Sequence, residues 1–108
     1  MRLLKRRVRA VPIYAPTEQP GDYVGAETIW DEASVIHADV QPAENSLLAA
    51  EYGERVKNML TLYTDKSANV QTGYGAFSLR ENGEPAYKVV QVSRYESHIV
   101  AVVEAQDD

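Results

Sequence analysis

The chain has no cysteine, one Trp, one Phe and two histidines among its 108 residues. The missing thiols exclude a Cys nucleophile, zinc sites built on Cys and any disulfide framework. No long apolar run is present either. The longest, Ile99-Val100-Ala101-Val102-Val103, falls far short of the ~20 residues of a membrane helix. The start is basic but lacks an apolar h-region, and Pro12 and Pro16 follow closely, so a targeting peptide is a poor fit. Without staples the fold must rest on buried apolar surface, which at 12.0 kDa is enough for one core and is helped by assembly.

What is present is 44% hydrophobic and 25% charged, as in ordinary globular domains. The net charge of −5 is unevenly spread. Five of the eleven basic residues, Arg2, Lys5, Arg6, Arg7 and Arg9, lie in the first nine positions, which contain no acid. The remaining residues carry six basic and sixteen acidic side chains. A single domain over 1–108 is expected, with a cationic arm at 1–9 and a frayed acidic tail at 106–108. The acidic body repels phosphate backbones and makes a poor free-standing nucleic-acid reader. The arm is the partner-binding element, suited to phosphates, an acidic protein or the surface of a neighbouring copy.

Alternation of apolar and polar residues predicts strands over Val8–Tyr14, Thr28–Val40, Val56–Tyr63, Ala86–Tyr95 and His98–Ala105, with a bulge near Asp31-Glu32. Pro12 marks the first as an edge strand, and Pro42 stops the second. Ala43–Tyr52 is the one helix, with Glu44 in its first turn and Gly53 as its stop. Two long loops are expected, over Ala15–Glu27 and Asp65–Ala76. Phe77–Arg80 enters a hairpin at Asn82-Gly83, and Glu96-Ser97 makes a second turn. The fold class that follows is mainly β, a small antiparallel barrel of five to six strands with one short α-helix as plug or lid and two long loops.

Chemistry is hard to find. His37 and His98 stand 61 positions apart with no supporting ligand cluster, so no metal site is expected. Ser97-His98 is no dyad if both lie on a strand, where neighbours face opposite ways. Gly73-Tyr74-Gly75 lacks the Lys-Ser/Thr of a phosphate loop, and the spacing of Asp65–Asn69 is wrong for calcium. No catalytic residue, metal or cofactor is expected, and the chain reads as a non-enzyme. Seven tyrosines are the better clue, since a phenol gives contact area with a polar tip. Tyr63, Tyr87 and Tyr95 fall in strands and suit the core, whereas Tyr23 and Tyr74 fall in loops and are the interface candidates.

In order and spacing, the basic extended start, the Pro/Gly loop, Thr28-Ile29-Trp30, Ala38-Asp39-Val40-Gln41-Pro42, Tyr52-Gly53, Leu60–Thr64, Tyr87–Val92 and the strand from His98 resemble the head-closure (stopper, or head–tail connector) proteins of long-tailed bacteriophages. The resemblance runs over residues 8 to 105. It implies a structural virion protein in the phage neck, a ring of six or twelve copies beneath the portal and adaptor. Such a ring holds DNA in the head and docks tail-terminator or other tail proteins, with a long loop from each subunit gating the channel. DNA passes without sequence-specific binding, no membrane is involved, and the protein waits in the host cytoplasm until assembly. A tail-completion or other minor virion protein is one alternative. An OB-like nucleic-acid module is another, and it requires salt-sensitive DNA binding.

Overall fold

A computed structural model describes residues 8–20, 26–43 and 46–106, the side chains of 19–20, 26–27 and 46 apart. Its strands are β1 (Val8–Pro20), β2 (Ala26–Pro42), β3 (Met59–Asp65), β4 (Gly75–Leu79), β5 (Pro85–Arg94) and β6 (His98–Ala105), with one short helix, α1 (Ser46–Tyr52). The strands close into an antiparallel barrel in the order β1-β2-β3-β6-β5-β4.

Alternating residues fill the barrel, as strand geometry demands. Val11 and Ile13 of β1, Ile36 and Ala38 of β2, Leu62 of β3, Val89 of β5 and Ile99, Ala101 and Val103 of β6 form one buried cluster. Alanine at 38, 76 and 101, each fully buried, lets neighbouring strands close on larger side chains opposite. The plug is not the helix. It is the loop joining β3 to β4, whose Val70 is fully buried in the same cluster. Arg94 Nη2 donates to the Val70 carbonyl at 2.7 Å and Ser34 Oγ to that of Asn69 at 3.2 Å, which pins the loop.

The helix instead lies outside the barrel. Met59 and Val102 point outward because Leu62 and Val103 point in, and with Ala43, Leu48 and Val56 they form a second buried cluster. Gly53, at φ +63°, ends α1 in the left-handed region. Gly53–Asn58 then winds as a 3-10 segment, so the strand expected from Val56 begins only at Met59. Val56 is used to cover Leu48, which is why the alternation starts three residues late.

The largest correction concerns the first Pro/Gly loop. Residues Ala15–Pro20 pair with Ala26–Asp31 in an unbroken ladder, so Ala15–Glu27 is mostly a two-stranded ribbon continuing β1 and β2. β1 meets β4 only at Ile13–Ala76 and Tyr14–Gly75, hence the ribbon runs past the barrel rim by about 20 Å. The molecule is accordingly elongated, 48 × 30 × 24 Å. The expected bulge is found one residue on, at Ala33, where the register shifts between Ile13 and Tyr14. Both tight turns form as expected. Gly83 takes φ +83° between paired Arg80 and Glu84, and Tyr95 N–H donates to the His98 carbonyl at 2.8 Å. Gln106 is not frayed, for its N–H donates to the Ala86 carbonyl and its own carbonyl accepts from Arg80; 107–108 lie outside the described residues.

Candidate assembly interface

Of the arm residues, Arg2, Lys5, Arg6 and Arg7 lie outside the described residues, as does Tyr23. Arg9 is not an arm residue in structure. It pairs with Ala38 inside the β1–β2 ladder, and its guanidinium carbon lies 5.3 Å from the centre of the Phe77 ring, within cation–π range. Phe77 has φ +78°, a conformation that costs a non-Gly residue of order 1 kcal/mol or more. Its ring, 5.0 Å from that of Tyr87, is held between Tyr87 and Arg9 where β4 bulges away from β5. Of the expected arm at 1–9, the last two residues therefore belong to β1.

Tyr74 is half-buried and packs against the barrel core, its carbonyl accepting from Val89 N–H at 2.8 Å. Tyr87 packs there too, as expected. Tyr95 does not. It is 56% exposed at the end of β5, stacked on His98 with ring centres 4.9 Å apart. Ser97 Oγ lies 2.9 Å from His98 Nδ1, contrary to the expectation for strand neighbours, because Ser97 sits in the bend before β6 rather than on the strand. Both stand at an exposed hairpin tip.

Two surfaces have the character of interfaces. One is a groove between α1 and the outer face of β3, β5 and β6, lined by Leu47, Leu48, Tyr63, Tyr95, Val100 and Val102. Leu47 is 82% exposed, the most open large apolar side chain described. One end of the groove is fixed by a polar lock. Arg55 Nε and Nη2 donate to the two carboxylate oxygens of Glu104 at 2.9 and 2.7 Å, and Tyr52 donates to Gln91 at 2.8 Å. The hydrogen bonds from Arg55 hold the Glu104 carboxyl below the ordinary carboxylate range, against a smaller upward push from burial. Burial raises the Tyr52 phenol, and Glu51 adds to that.

The second surface is the ribbon. Between Ala10 and Glu54 the chain has no Lys or Arg and nine carboxylates, of which Glu18, Asp31 and Glu32 stand exposed on the ribbon. Trp30 roots it, half-buried, 3.5 Å from where a Cβ on Gly75 would lie and beneath Lys88 Nζ at 5.3 Å. The acidic run was readable in the sequence, but its placement on a projecting element was not. Among models of known protein families, curated proteins and solved structures, none matches the chain.

Among the described residues, no three His, Asp or Glu side chains gather as a metal site, and no helix is long and apolar enough to cross a membrane. Asp39 is the one buried carboxylate described. Its Oδ2 accepts from Gln41 Nε2 at 3.2 Å, its Oδ1 has no hydrogen-bond partner, and it faces Val8, where the arm begins.

Proposed function

We propose that this protein is a ring-forming structural subunit of a phage neck, which closes the filled head beneath the portal and adaptor and presents a docking surface for the tail. The observation that carries the reading is the ribbon, an acidic projection at the far end of β1 from a cationic arm. Opposite charges of this kind favour head-to-tail contacts, which close into a ring where the rotation between subunits permits. In such a ring the ribbon is the element that reaches toward the channel. Portal and adaptor proteins above, tail proteins below and further copies at the sides are the partners, and the subunit promotes no reaction of its own.

The same charge pattern disfavours the OB-like nucleic-acid reading, since stacking of single strands needs a basic groove beside the aromatics. The test is co-sedimentation of the purified chain with portal–adaptor complexes and, separately, with isolated tails. Loading onto portal–adaptor complexes is the expected result. Loading onto tails alone would make it a tail-completion protein instead.

A further inference from the structure

The two edges of the ribbon are not equivalent. Along β1, Pro12, Pro16 and Pro20 face Val35, Trp30 and Ala26. Backbone N–H groups point alternately to the two sides of a strand, so evenly spaced prolines leave all their missing donors on one side. The continuous ladder with β2 requires that side to be the outer edge of β1, which beyond its short pairing with β4 at Ile13 and Tyr14 is thereby closed to another strand. By the same alternation Thr28, Trp30 and Glu32, which face Glu18, Pro16 and Tyr14, turn their N–H and C=O groups away from β1. β3 joins β2 only from Ala38 onward. From Ala26 to Ala33, no described strand pairs with that side of β2; at Ser34 the β3–β4 loop reaches it and at His37 the Thr64 hydroxyl donates to its carbonyl.

We propose that this open edge of β2 is completed by the N-terminal arm of a second copy, residues 1–7, added as a third strand. The proposal rests on the ring reading above and specifies its contact. Seven extended residues span about 23 Å, and so fit along β2 between Ala26 and Ala33. The arm has four cations among these seven positions and no acid, whereas the edge lies within the stretch that has only acids. Successive strand residues face opposite sides of a sheet. Arg2 and Arg6 thus share one face and Lys5 and Arg7 the other, while Glu32 and Asp31 stand on opposite faces of β2. Either face of the added strand sets a cation beside a carboxylate. The arm leaves β1 at Val8, roughly 20–30 Å along the strand from the edge it covers, so each copy reaches forward to the next.

Thr28→Pro removes an outward donor from β2 and leaves the β1 ladder whole. Light scattering of the full chain to about 1 mM, an effective concentration typical of tethered neighbours, reads the contact. Self-association is expected in the wild type, weakened about tenfold by raising salt from roughly 50 to 200 mM. It is expected to vanish in Thr28→Pro and in a chain lacking residues 2–7, both with unchanged melting. Asp31→Lys with Glu32→Lys should abolish it, and adding Arg6→Glu and Arg7→Glu should restore it, which reads the contact even if the proline disturbs the ribbon. Wild-type association by Thr28→Pro, no association of the wild type up to about 1 mM, or no rescue by the charge swap overturns the proposal. If Thr28→Pro still loads onto portal–adaptor complexes as the wild type does, the strand contact fails and the neck reading stands. If the wild type self-associates through the arm and loads onto nothing, the reverse holds.

Discussion

Gly75 shows how one residue fixes the join of ribbon and barrel. It is buried and pairs with Tyr14 on one side and Lys88 on the other. A Cβ there would run into Cγ and Cβ of Pro85, itself fully buried, so neither side has room to yield. Gly75→Ala is expected to cost about 2 kcal/mol or more, by the logic of overpacking, and a lowered denaturation midpoint checks it. Glu104 makes a pH prediction. A carboxyl whose folded pKa is lowered stabilises the fold above its ordinary value, and that contribution is lost as pH falls through the lowered one. Melting temperatures of the wild type should therefore fall on acidification below the ordinary Glu range more than those of Glu104→Gln. Equal falls would mean that the pair with Arg55 contributes nothing to stability.

At the scale of elements, the helix divides into one packed and one open leucine. Leu48 is 9% exposed and Leu47 82%. Leu48→Ala should destabilise by about 2 kcal/mol, the low end for a small, half-open cluster, whereas Leu47→Ala should leave the melting curve unchanged and act on assembly alone. β3, β5 and β6 were legible because each is an apolar-rich run with one face in the barrel. Even so, β3 starts at Met59 rather than Val56, β5 shifts register between Val89 and Gln91 and β6 buries Val102 on its outer face as well. Ala15–Glu27 was misread, since Pro16, Pro20 and Gly21 signal a loop unless their even spacing is weighed. A proline is tolerated wherever its missing donor faces outward, so the same residues describe a one-sided strand. The helix was legible as an element but not in its place, because Leu47, Leu48 and Tyr52 do not say whether they cover a barrel's mouth or its wall. Tyr95 was misplaced for a related reason, as strand periodicity ends at the hairpin it borders. Of the candidate interface, the arm's charge was plain from composition. The ribbon's edges required the register.

For the molecule as a whole, two features set the reading: a closed barrel with its own buried core, and a carboxylate-bearing ribbon at one end of β1, whose other end follows the basic residues 2–7 in sequence. The described barrel, from β1 through Gln106, closes on residues from Val8 onward, so loss of residues 2–7 is expected to leave the melting curve unchanged and to weaken the proposed contact with a second copy. A building unit of a neck ring must add to the portal–adaptor end of a filled head. Electron cryomicroscopy of the protein mixed with portal–adaptor complexes of a long-tailed phage is the decisive experiment. An added ring of density below the adaptor, with the acidic ribbons toward the axis, is the expected result. Portal–adaptor complexes that carry no added density at saturating protein would contradict the neck-ring reading.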